Sequence, residues 1–123
     1  MAVIDDKQAH YEVIDSAAKA ATVCQEMFGQ KVSAWVVGVR DPKSIGRWAR
    51  GDDNLQKHER ESRLLNLAAV AQVLSHRLAD DPNRARTWLL SPNPALADTA
   101  AAQWIHDDKP VSAVLAAARA YVR

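Results

Sequence analysis

Val32-Ser33-Ala34-Trp35-Val36-Val37-Gly38-Val39-Arg40-Asp41-Pro42-Lys43-Ser44-Ile45-Gly46-Arg47-Trp48-Ala49-Arg50-Gly51 divides itself into helix, turn and helix. Val32 to Val37 is short and mostly apolar. Valine favours strands, but Ala34 and Trp35 interrupt any apolar–polar alternation and the flanking segments have helical periodicity, so a short helix is expected. Gly38 opens the turn. Asp41-Pro42 then marks a helix start, because Asp accepts from the free amides of a first turn and Pro fits the first helical position. The second helix is predicted to run to about Arg50, where Gly51 ends it and the polar loop Gly51-Asp52-Asp53-Asn54 begins.

Within that second helix Ile45, Trp48 and Ala49 fall at i, i+3 and i+4 and are expected to face the core. Lys43, Ser44, Arg47 and Arg50 are left to face outward, with Lys43, Arg47 and Arg50 on one face. A glycine-containing turn between two short helices is the pattern of a helix-turn-helix. A second helix with outward arginines suits the major groove, where Arg bonds guanine through two hydrogen bonds. Lys57 and Arg60 open the following helix and are expected to touch phosphates, which adds affinity without sequence information. An ordinary solvated basic face is the alternative. Gly46 inside the helix costs about 1 kcal/mol relative to Ala, and its use is close approach to another helix or to DNA.

Working outward, Ile14, Ala17, Ala21, Cys24 and Phe28 are spaced 3, 4, 3, 4 and predict a helix from about Asp6 to Phe28, stopped by Gly29. Leu64, Leu67, Ala71, Leu74 and Leu78 repeat the spacing and predict a long central core helix from about Lys57 to Ala79. Asp80-Asp81-Pro82 breaks it and caps the next, from about Asn83 to Leu90. Ser91-Pro92-Asn93-Pro94 reads as a rigid turn, since two prolines in three residues forbid an α-helix. Thr99 to His106 and Val111 to Val122 complete the set, with Trp104 and Ile105 expected to anchor the core.

The chain of 123 residues is about one domain, or two small subdomains sharing a core. The fold class is therefore all-α, with a helix-turn-helix region over 1–79 and a helical interaction region over 80–123. Net charge is only +1, but residues 31–63 hold eight Lys/Arg against five Asp/Glu, a modest basic patch. The single cysteine, Cys24, lies on an apolar stripe and reads as a buried thiol, which fits a reducing compartment. The N-terminus lacks a basic region followed by an apolar one, and no apolar run approaches the roughly 18 residues of a membrane helix. A cytoplasmic protein without a membrane partner is expected. His10, His58, His76 and His106 are scattered without metal-ligand spacing, and neither a phosphate loop nor a nucleophile motif occurs. An enzyme, a metal site and a cofactor are therefore not expected. His106-Asp107-Asp108 reads as a solvated helix end.

Val39-Arg40-Asp41-Pro42 with Arg47-Trp48-Ala49-Arg50-Gly51, the aliphatic helix Arg63 to Leu78, and Arg86-Thr87-Trp88-Leu89-Leu90-Ser91-Pro92-Asn93-Pro94-Ala95-Leu96 together resemble the Xre/ParS-like antitoxins of RES–Xre toxin–antitoxin systems. The Pro-Asn-Pro-Ala-Leu string after an aromatic helix is the most specific part. The resemblance implies an all-helical antitoxin with an Xre-like helix-turn-helix and a C-terminal toxin-binding domain. It implies neutralisation of a RES-domain, NAD⁺-consuming toxin, repression of its own operon, and a homodimer or higher assembly. The toxin contacts it points to are Trp88, Ser91, Asn93 and Pro94; Tyr121 and Arg123 at the C-terminal end are further candidate contacts, for which a frayed helix end is the alternative. After Leu96 such antitoxins usually have a Gly-Gly turn, whereas this chain has Ala97-Asp98. A stiff turn that merely packs Leu96 on the core is the alternative for the Pro-rich segment. A stand-alone regulator, or an interaction protein that keeps the fold without binding DNA, are the alternatives for the whole.

Overall fold

A computed structural model describes residues 16–52 and 58–123, so the expected helical turns before Ser16, with Ile14 of the first stripe, and Lys57 lie outside the described residues. Within them the chain is mostly helical, as its periodicity predicts. The helices are α1 (Ala17–Phe28), α2 (Gln30–Val37), α3 (Lys43–Ala49), α4 (His58–Leu78), α5 (Pro82–Leu90), α6 (Ala101–His106) and α7 (Val111–Val122). Two two-residue strands, β1 (Pro92–Asn93) and β2 (Thr99–Ala100), pair antiparallel on either side of a 3₁₀ turn at Pro94–Leu96.

Among the described residues, the helix that ends at Phe28 starts at Ala17. Ser16 is extended, at φ −148° and ψ 156°, and its side chain accepts from the Lys19 amide. That hydrogen bond satisfies a free first-turn donor, so α1 starts at Ala17. One residue, Gly29, separates α1 from α2. Buried Ser33 of α2 donates its hydroxyl to the Cys24 carbonyl of α1 at 3.2 Å, so the two short helices are pinned by a bond between them as well as by packing.

α4 is the central helix that its leucine spacing predicts. Leu64, Leu67, Ala71 and Leu74 are fully buried and Leu78 nearly so. It packs against α1, α2, α5, α6 and α7. Each fully buried leucine contributes about 1.5–3 kcal/mol relative to exposure. The core is one continuous cluster, from Ala20, Cys24 and Phe28 through the α4 stripe to Leu89, Leu96, Ile105, Val114 and Ala118. Burial pushes the Cys24 thiol up, well above its ordinary range. Among the described residues no helix is long and apolar enough to cross a membrane.

The C-terminal turn differs from the sequence expectation in two ways. The predicted helix from Thr99 starts at Ala101, because Thr99 and Ala100 pair with Asn93 and Pro92 instead. The rigid turn contains a 3₁₀ turn with Pro94 in its first positions, where a proline's missing amide costs nothing. Asn93 Oδ1 accepts from the Ala95 amide at 3.0 Å and the Asn93 carbonyl from the Asp98 amide at 2.9 Å. Ala97 and Asp98 both adopt left-handed backbone, at φ 54° and 62°. A side chain in that conformation costs roughly 1–2 kcal/mol, part of which glycine gives back as chain entropy. Ala97→Gly is therefore expected to stabilise the fold by about 0.5–1 kcal/mol, read as a raised urea midpoint at constant slope. An unchanged or lowered midpoint would show that this backbone is held without strain.

Candidate nucleic-acid interface and partner groove

α3 is built from its turn. Gly38 ends α2 in the left-handed region, at φ 92°, and its amide returns to the Ala34 carbonyl at 2.9 Å. Asp41 then caps α3, Oδ1 accepting from the Lys43 amide at 3.0 Å and the main-chain carbonyl from Ser44 at 3.0 Å. Ile45 and Trp48 are buried and Ala49 packs on the core, as their spacing predicts. Gly46 is buried too: a Cβ there would lie 2.7 Å from the Gln30 side-chain amide of α2. Of the two uses expected for this glycine, the close approach to another helix is present.

Lys43 and Arg50 are exposed, and Ser44 and Arg47 half-buried, so the outward face of α3 is as the spacing predicts. Two of its cations are already engaged. Arg47 Nη1 lies 3.5 Å from Asp41 Oδ2, and Arg47 Nη2 donates to Ser44 Oγ at 2.9 Å. Arg50 Nε donates to Asp52 Oδ2 at 2.7 Å. Exposed pairs of this kind are worth about 0–1 kcal/mol. Arg60 is half-buried on α4. Asp41 and Asp52 were counted among the acids of this segment, but the count did not show that they pair with Arg47 and Arg50.

The second group gathers at the other end of the chain. Trp88, Ser91, Asn93, Pro94 and Tyr121 line one open groove of about 500 Å³, with Pro92, Ala95, Ala117 and Ala120. α5 supplies Trp88, the Pro-rich turn the next wall, and α7 the small alanines and Tyr121. The Trp88 and Tyr121 rings lie 5.8 Å apart at 31°. Arg84, one turn before Trp88 on α5, sits over the Tyr121 ring and donates through Nε to its hydroxyl at 3.1 Å. Its i, i+4 spacing from Trp88 was the available signal. Arg123 lies just beyond α7 and does not line the groove. Ser91 Oγ donates back to the Thr87 carbonyl at 2.6 Å and closes the end of α5.

The two regions are joined by contacts that the sequence reading missed. His106 is not a solvated helix end: its ring stacks on Trp35 of α2, 4.5 Å between centroids at 18°. Its Nδ1 lies 3.0 Å from the Trp35 carbonyl. Arg63 of α4 donates through Nε and Nη2 to both Asp108 oxygens, at 3.0 and 2.9 Å, and through Nη1 to the Val37 carbonyl at 3.0 Å. The hydrogen bonds from Arg63 hold the Asp108 carboxyl below the usual carboxylate range. Ile105 is buried as expected, whereas Trp104 is only half-buried, donating to the Pro110 carbonyl at 2.8 Å with Lys109 over its ring.

Comparison with known proteins finds no family model, curated protein or solved structure that matches this chain.

Proposed function

We propose that the protein is an antitoxin of the RES–Xre kind. Its C-terminal groove takes a RES-domain, NAD⁺-consuming toxin, and its helix-turn-helix, with α3 as recognition helix, binds operator DNA upstream of its own gene. In this reading it acts by binding alone, without cofactor or metal, as a homodimer or higher oligomer. The observation that supports it is the groove. Five residues singled out in the sequence, four of them through the resemblance, line a single concavity formed by α5, the Pro-rich turn and α7. An aromatic pair set among alanines and prolines is the kind of anchor that dominates protein interfaces.

The test is NAD⁺ consumption by a RES-domain toxin encoded beside this gene, with and without the protein. Stoichiometric protein is expected to stop the loss of NAD⁺. Tyr121→Ala is expected to weaken the complex by at least about 2 kcal/mol, the cost typical of an interface anchor. Continued NAD⁺ loss at saturating wild-type protein would remove the antitoxin reading.

A second reading is favoured by the Arg47–Asp41 and Arg50–Asp52 pairs, which already occupy two cations of α3. In that reading the chain keeps the fold as an interaction protein without binding DNA. Fluorescence anisotropy on duplex from upstream of the gene, beside a scrambled duplex, separates the two. A preference for the upstream duplex supports the recognition helix, and a stand-alone regulator if no toxin is restrained. Equal binding leaves the groove as the working surface.

A further inference from the structure

Asp41 meets Arg47 at the start of α3. The carboxylate meeting the guanidinium is not a free side chain. Its Oδ1 is committed to the Lys43 amide at 3.0 Å, and the Asp41 carbonyl to the Ser44 amide at 3.0 Å. Asp41 is thereby fixed to the first turn of α3, and its Oδ2 faces Arg47 Nη1 at 3.5 Å. Ser44, on the same turn, receives Nη2 at 2.9 Å. One terminal nitrogen of the guanidinium is hydrogen-bonded to Ser44 and the other lies within ion-pair range of Asp41. The pair remains open to solvent, with 38% of the Arg47 side chain and 54% of the Asp41 side chain exposed.

An exposed ion pair adds little to stability, so its consequence lies in where it holds the arginine. Two effects follow. An arginine oriented before binding loses less side-chain freedom on contact, and its planar fork matches the O6 and N7 acceptors of guanine. The adjoining carboxylate cancels most of the local positive charge. A phosphate, attracted by net charge, gains little there, whereas a base edge, bonded by directed donors, keeps its partner. Repulsion of the wrong ligand is as much a source of specificity as attraction of the right one.

We infer that Asp41 is a positioning residue that makes Arg47 a reader of a G·C base pair rather than an anchor for phosphate. The inference rests on α3 being the DNA-binding helix, and it names the base pair that helix selects. Asp41→Asn tests both effects together: Asn keeps the oxygen that caps the helix, while the atom facing Arg47 becomes an uncharged amide nitrogen that donates rather than accepts.

The experiment measures anisotropy of the full chain on two duplexes of equal length and composition, one from upstream of its own gene and one scrambled, across a salt series. Asp41→Asn is expected to bind the scrambled duplex about three- to tenfold more tightly at low salt, with a log–log salt slope steeper by about one phosphate contact. Its preference for the upstream duplex is expected to fall by about tenfold, and Arg47→Ala is expected to lose a similar preference. Wild type preferring the upstream duplex while Asp41→Asn keeps the same preference and slope would overturn the role of Asp41. A preference that survives Arg47→Ala would overturn it as well. Wild type and Arg47→Ala binding both duplexes alike would instead remove the DNA-binding reading of α3, and the inference with it.

Discussion

Ile45→Ala is expected to cost about 2–5 kcal/mol, the range for deleting a fully buried aliphatic side chain that leaves a cavity. Ile45 is wholly inaccessible, and α3 has only seven residues with which to hold itself on α1 and α2. A helix that short is marginal by propensity alone, so its docking depends on the apolar face it buries. Ile45→Val removes one methyl and is expected to cost about 0.5–1.5 kcal/mol. The pair is checked by urea unfolding, with midpoints lowered at a common slope. Equal small losses for both would mean that α3 is not held through this side chain. Hydrogen exchange adds a local readout: amides of α3 are expected to lose protection before those of α4.

The second large effect is expected at Arg63. Arg63→Ala removes the bidentate contact to Asp108 and the donor to the Val37 carbonyl at once. Hydrogen bonds to a charged group contribute about 1.5–3 kcal/mol, but half of the Asp108 side chain is exposed and its share is screened toward 1 kcal/mol or less. A total of about 1–3 kcal/mol is expected. The acid limb carries a distinct signature. Asp108 is held below its ordinary value in the folded chain by the hydrogen bonds from Arg63. Its contribution is therefore fully present above the unfolded carboxyl value of about 4. It is lost as pH falls through the lower folded value, where the carboxyl takes up a proton. In Arg63→Ala that part of the acid limb is expected to disappear, and Asp108→Asn is expected to remove the same part. Acid unfolding profiles of wild type and both variants check this. Superimposable limbs would show that the pair does not contribute.

How far the sequence could be read depended on the distance over which each signal acts. The α4 stripe, the caps at Asp41 and Asp81 and the stops at Gly29 and Gly51 are written within one or two turns, and periodicity or turn chemistry exposes them. Ser16 was passed over because an apolar stripe ran through it, although a serine before an Ala-rich run is a capping signal. The pairing of Thr99 and Ala100 with Asn93 and Pro92 was hidden because two-residue strands have no alternation to detect. The groove was legible mainly through resemblance, since α7 meets the Pro-rich turn across more than twenty residues. Stacking of Trp35 on His106, 71 residues apart, had no sequence signal at all. Neither had the grip of Arg63 on Asp108, 45 residues apart. Arg47 and Arg50 were placed correctly on their face, but counting charges said nothing of the acids that hold them.

The burial of Cys24 has a use outside the folded chain. The thiol is wholly inaccessible, is the only one in the sequence, and is kept protonated by its apolar surroundings. Only a thiolate reacts with a disulfide or alkylating reagent, so labelling waits on a fluctuation that separates α1 from α4. The rate of modification under native conditions is then a clock for those fluctuations. It is read without added fluorophore or denaturant, and it ticks more slowly whenever a bound partner draws the ensemble toward its closed members.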